Sequence, residues 1–217
     1  MAIKPIAVGT DGSEPSLRAV DWAAREAVLR DVPLRIVPVC ATEPRINWSA
    51  PPRSIRGMPR ETAVKALQEA GDRADAEAHG LTIDTSLLMG EPAPVLAEAG
   101  RNAPMLVVGS GGVSGLVNAA FGSAGRYAVA HGSGTVVIHR DEARVQHRIV
   151  VGVGAQVIHA RPAQALAEII ASADLLVPGR PRTRLASTDS PLGAVTHAVL
   201  EHAHGPIAIV PESAEVR

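Results

Sequence analysis

Residues 109–123 read GSGGVSGLVNAAFGS. Two residues separate Gly109 from Gly112, and nine separate Gly112 from the pair Gly122-Ser123. This spacing suits phosphate chemistry. Glycines let the main chain come close to a bulky anion and take left-handed angles. A helix that begins at Gly122-Ser123 offers free N–H groups and the positive end of its dipole. The Ser123 hydroxyl can add one more hydrogen bond to a phosphate oxygen. Asp11 stands where a carboxylate could accept hydrogen bonds from a ribose or a base. Neither common phosphate motif is present: the run has no G-K-[ST], and it is not G-x-G-x-x-G after a first strand. The plain alternative is a flexible glycine-rich loop in which Ser123 only caps a helix.

The surrounding elements would have to carry these residues. IKPIAVGTDGS (3–13) reads as a buried strand ending in a turn. EPSLRAVDWAAREAVLRD (14–31) reads as a helix, with Ser13 as its cap and Leu17, Val20, Ala24, Ala27 and Val28 in one stripe. PLRIVPVC (33–40) is a second strand, followed by a polar loop from Ala41 to about Gly57. Residues 60–79 read as a helix and LTIDTSLL (81–88) as a third, half-exposed strand. Then come PAPVLAEAGR as helix, MLVVG (105–109) as strand, 122–132 as helix and TVVIH (135–139) as strand. Alternating strands and helices imply crossover units and a parallel sheet. Ligands of such doubly wound sheets bind outside the carboxyl ends of the strands, at the point where the strand order reverses.

The rest of the chain repeats what precedes it. Residues 91–109 align without gaps to 161–179, 130–138 align to 201–209, and 6–12 align to 149–155. The front match is offset by 143 residues and the later ones by 70 and 71. About 72 residues are therefore missing from the second copy. They correspond to the first helix, second strand, second helix and third strand. The expected organisation is a complete domain over 1–140, a linker at 141–147 and a shortened, degenerate copy over 148–217. Three strands are too few for a robust domain. The copy is expected to pack on the first by pairing the two last strands, and its own first strand is expected to be an open edge that invites homodimerisation.

The pattern G-x2-G-x9-G-[ST] at residues 109–123, the opening AVGTDGSEPSLRAVDWA and the stretch GEPAPVLAEA together resemble the universal stress protein (UspA) family, in its ATP-binding type. The resemblance covers residues 3–140 as a whole domain and 148–210 as a truncated one. It implies a flavodoxin-like (adenine nucleotide alpha hydrolase-like) fold, a doubly wound sheet of five parallel strands with ATP in its cleft, with or without Mg²⁺. It also implies dimers through last strands and tandem members whose two copies form a pseudo-dimer. By position, Asp11 would sit beside the adenosine part, and Thr10 and Val39 would line the adenine pocket. Gly109, Gly112, Gly122 and Ser123 would hold phosphates and ribose, with the N–H of Ala124 as a further donor. In the second copy Asp11 becomes Gly154, Gly112 becomes Arg182 and Ser123 becomes Ala194, so that copy is expected to bind no nucleotide.

Composition removes other classes. A net charge of −1 gives no reason for binding nucleic acid or anionic membranes. The single cysteine, Cys40, excludes an intrachain disulfide and a Cys-rich metal site; it reads as a small buried apolar residue. No apolar run approaches the ~20 residues of a membrane span, and MAIKPIAVG lacks the regions of a secretory signal. A cytoplasmic protein is expected. His197, His202 and His204 do not share one helical face, Arg53, Arg56 and Arg60 read as a solvated basic set, and Asp21 and Glu26 read as surface charges. No set of residues for nucleophilic or acid–base chemistry at a terminal phosphate is legible from spacing, and Asp11 is expected near adenosine rather than near that phosphate. The nucleotide is therefore expected as a ligand with at most slow hydrolysis. An ATP-cleaving enzyme and a nucleotide-free interaction module are the alternatives.

Overall fold

The computed structural model describes residues 3–40, 58–110, 123–132, 134–139, 149–152, 174–180, 196, 199–200 and 205–211. Gly112, Gly122, Trp48, Arg53, Arg56 and His197, His202 and His204 lie outside them. The strands are β1 (Ile6–Thr10), β2 (Leu34–Cys40), β3 (Ile83–Thr85), β4 (Leu88–Met89), β5 (Met105–Gly109), β6 (Thr135–His139), β7 (Ile149–Gly152), β8 (Leu175–Arg180) and β9 (Ile207–Pro211). The helices are α1 (Glu14–Arg30), α2 (Arg60–Glu77), α3 (Pro92–Arg101) and α4 (Ser123–His131). One mixed sheet runs β3-β2-β1-β5-β6-β9-β8-β7, with β4 also paired to β2. Its pairs are parallel except β6 with β9.

The two faces of β1 show why the layers form. Ile6 and Val8 point one way, into a cluster with Leu17, Val20, Ala23, Ala24 and Ala27 of α1 and Ala70 and Ala74 of α2. Ala7 points the other way, toward Leu96 and Ala97 of α3 and Ala128 and Val129 of α4. With only four aromatic residues in the chain, the fit comes from alanine-rich helix faces lying close on β-branched strands. Val28, expected in the α1 stripe, is instead exposed; it sits one step around the helix from Ala27, at the margin of the buried face.

The third strand is two short pieces rather than one. Leu34–Ile36 pair with Ile83–Thr85, and Val39–Cys40 pair with Leu88–Met89 in the same register. Ile36 accepts from Ser86 N–H at 3.0 Å, toward this neighbour. Two residues on, Pro38 has no N–H to give on that side, and the ladder lapses opposite it.

The distal strands repeat the register of the proximal ones. Ala7 and Val8 pair with Leu106 and Val107, and Val150 and Val151 pair with Leu176 and Val177. Leu106 and Gly109 pair with Val136 and His139, and Leu176 and Gly179 pair with Ile207 and Val210. These partners are related by the same three offsets found in the sequence, 143, 70 and 71. At the join, Val136, Val137 and Ile138 face Ile209, Ala208 and Ile207. The pairs are symmetric about Val137–Ala208, as an isologous contact between two like strands would be.

Candidate functional site

The strand order reverses between β1 and β5: from β1 the chain winds outward to β2 and β3, then returns to β5 and winds the other way to β6. The carboxyl ends of β1 and β5 therefore bound the crevice where this class of sheet binds ligands. Asp11 follows β1, and Gly109 ends β5. Ser110 N–H continues the β5–β6 ladder to His139 O at 2.9 Å. The N-terminus of α4 is seated over the same ends, since a Cβ on Gly125 would meet Val108 at 3.3 Å and Ile138 at 3.8 Å. Ser123 opens that helix, and Ala124 is half-buried against the core.

The turn after β1 is tightly organised. The Asp11 Oδ1 atom accepts from Ser13 N–H at 3.0 Å and from the Ser13 hydroxyl at 2.5 Å. Ser13 occupies the N-cap position of α1 with extended backbone, but its side chain makes no cap hydrogen bond; its hydroxyl is committed to Asp11. Gly12 has a φ of +76°, and a Cβ there would lie 3.0 Å from the Ala66 Cβ. The Asp11-Gly12 pair is the local signal for that turn. Thr10 is buried, with its hydroxyl 3.0 Å from Ser16 Oγ and accepting from Gly12 N–H at 3.2 Å. Its hydroxyl thus holds the turn. Val39 lies in the core, and its carbonyl accepts from Met58 N–H at 3.2 Å.

Gly109 differs from expectation. Its backbone is not left-handed. A Cβ on it would lie 2.6 Å from Pro15 O, 2.8 Å from Pro15 C and 2.9 Å from Ser16 N. Glycine is required because the first turn of α1 rests directly on the end of β5. No local signal in MLVVG announces this, because the partner lies more than ninety residues earlier.

Asp21 is also more than a surface charge. Arg73 Nε donates to its two carboxylate oxygens at 2.7 and 2.9 Å, and the same guanidinium reaches Glu14 at 3.2 Å. The bond from Arg73 lowers the Glu14 pKa, against a smaller opposing effect of desolvation. The bonds to Asp21, then Glu14, raise that of Arg73. The network ties the start of α1, beside the site, to α2. Cys40 is buried, as expected, and donates to Leu88 O at 3.4 Å. Among the described residues no group of three His, Cys, Asp or Glu side chains could hold a metal. No helix among them is long and apolar enough to cross a membrane.

The fold is a doubly wound α/β domain in which the hydroxyl-rich turn after β1 and the glycine that ends β5 lie on the two sides of the switch point, where sheets of this class bind their ligands. The model of the universal stress protein family matches residues 2–140, and the chain belongs to that family. A universal stress protein of Mycolicibacterium smegmatis is 36% identical over 143 residues, covering 63% of this chain and 48% of its own length. The chain thus spans about half the length of the curated relatives it matches. The crystal structure of a universal stress protein from Archaeoglobus fulgidus covers 98% of this chain and 100% of its own, with a TM-score of 0.70 and 15% identity; that likeness is one of fold. A universal stress protein solved in complex with cAMP is 30% identical, covering 64% of this chain and 97% of its own, with a TM-score of 0.47.

Proposed function

We propose that the first 140 residues bind ATP, with or without Mg²⁺, as a regulatory ligand in the cytoplasm. One observation carries this reading: the run G-x2-G-x9-G-S starts at the carboxyl end of β5, across the sheet's switch point from Asp11. Asp11 would take the adenosine part, with Thr10 and Val39 lining the adenine pocket. Gly109, Gly112, Gly122, Ser123 and the N–H of Ala124 would take the phosphates and ribose. Binding would order the loops and favour one conformation for a partner protein to read.

We read the distal strands as a truncated copy of the first domain that serves as a built-in partner. The repeated register and the symmetric β6–β9 join support this. The copy has lost Asp11, Gly112 and Ser123, so the chain has one site. Its first strand leaves Ile149 63% and Val151 57% exposed, whereas the aligned Ile6 and Val8 are fully buried under α1. This uncovered strand would support a homodimer.

The test is calorimetric titration of nucleotide-stripped full chain with ATP and Mg²⁺, beside Gly112→Arg, which copies the residue of the second repeat into the first. One site per chain, abolished by the substitution, is expected. At a hundredfold excess over Kd the ligand stabilises by roughly 2.7 kcal/mol, a rise of roughly 5–11 °C in Tm. Two sites would overturn the reading of the distal copy. No binding would leave a nucleotide-free interaction module, and sustained turnover lost with Gly112→Arg would make the protein an ATP-cleaving enzyme.

A further inference from the structure

We propose that Ser16 is a positioning residue of the nucleotide site, its hydroxyl fixing where the Asp11 carboxylate stands. The inference rests on the reading that Asp11 meets the adenosine part of a nucleotide. Ser16 lies in the first turn of α1 and is 4% exposed. Its Oγ donates to Ser13 O at 2.9 Å, accepts from Asp11 N–H at 3.3 Å and lies 3.0 Å from Thr10 Oγ1. A hydroxyl has one proton and two lone pairs. With the proton on Ser13 O, Thr10 is the donor to Ser16, and all three capacities are used. Residues 10, 11 and 13 are thus gathered on one oxygen.

Helix formation does not call for that oxygen. α1 already has Pro15 to set its first turn. A buried hydroxyl is tolerated only when it is hydrogen-bonded, and here every bond goes to the turn that carries Asp11. The turn is held from its other side as well. Gly12 is pressed toward Ala66, with left-handed backbone that few other residues adopt. The Asp11 carboxylate is locked in turn by the N–H and hydroxyl of Ser13. Ser16 therefore acts on the ligand through the turn it holds, chiefly by preorganising Asp11 before the ligand arrives.

This predicts a particular pattern of losses. Nucleotide-stripped full chain and the variants Ser16→Ala, Asp11→Asn, the double variant and Ser123→Ala are titrated with adenosine and with ATP plus Mg²⁺ at 25 °C. Thermal midpoints are measured alongside. Ser16→Ala is expected to weaken adenosine and ATP by the same factor, about fivefold, the weight of one neutral hydrogen bond. Asp11→Asn is expected to weaken both further, and the double variant to bind no worse than Asp11→Asn alone. Ser123→Ala is expected to weaken ATP more than adenosine. Losses from Ser16 and Asp11 that multiply, an Asp11→Asn without effect, or a Ser16→Ala that lowers the midpoint while leaving both affinities intact would each overturn the proposal. If the parent chain binds neither compound, the nucleotide reading fails by itself. Amide exchange at Asp11 and Gly12 then decides the role of Ser16: faster exchange in Ser16→Ala upholds it, and unchanged exchange overturns it.

Discussion

Gly109→Ala isolates the contact that joins the two walls of the site. The added Cβ would lie 2.6 Å from Pro15 O, where ordinary contact begins at 3.4 Å, so something must give by about 0.8 Å. All three nearest atoms are backbone of the first turn of α1, and no rotamer change can relieve them. α1 or the end of β5 must shift, at a cost of about 1–3 kcal/mol by analogy with an overpacked core. For a chain of this size that is a fall of roughly 2–12 °C in Tm. Because the first turn also carries Ser16, the shift moves Asp11 away from the glycine loop, and ATP affinity should fall with it. The aligned residue of the distal copy supplies the control. Among the described residues a Cβ on Gly179 would meet nothing within 4 Å, and its backbone is not left-handed. Gly179→Ala should leave stability unchanged or raise it by about 0.4–1 kcal/mol, through the loss of freedom in the unfolded chain. The assay is thermal unfolding of both variants by circular dichroism, with ATP titration of each. A Gly109→Ala chain that melts within a degree of the parent, or a Gly179→Ala chain that falls as far, would refute the reasoning.

Three further outcomes are expected. Glu14 has its pKa lowered in the folded chain by Arg73, so its contribution is present above the unfolded value of 4.5 and is lost as pH falls below it; Glu14→Gln should flatten that part of the stability–pH curve measured by urea unfolding. Arg73→Leu should destabilise by about 1 kcal/mol, and a double-mutant cycle with Asp21→Asn should show coupling, absent if the pair is only a surface contact. Ile149→Lys with Val151→Lys should abolish any concentration-dependent dimer seen by light scattering while leaving ATP affinity intact; a dimer that survives both substitutions places the interface elsewhere.

Much of this molecule was determined by local sequence. Alternating apolar runs and helical stripes gave the α/β class, because each records which face of one element meets the core. The spacing at Gly109, Gly112, Gly122 and Ser123 marked the candidate loop, and Asp11 marked the facing wall. The three offsets of the internal match reappear as the register of the distal strands, since aligned residues take the same places in the two ladders. Other features were decided only by packing between distant segments. Gly109 reads as a strand end that opens the glycine loop, yet its missing side chain seats the first turn of α1. Asp21 reads as solvated until α2 brings Arg73 against it. Pro38 breaks its neighbour's strand rather than its own, because the missing N–H is felt across the ladder. In each case the partner lies outside any helical turn or strand period of the residue it constrains, and no local pattern carries that distance.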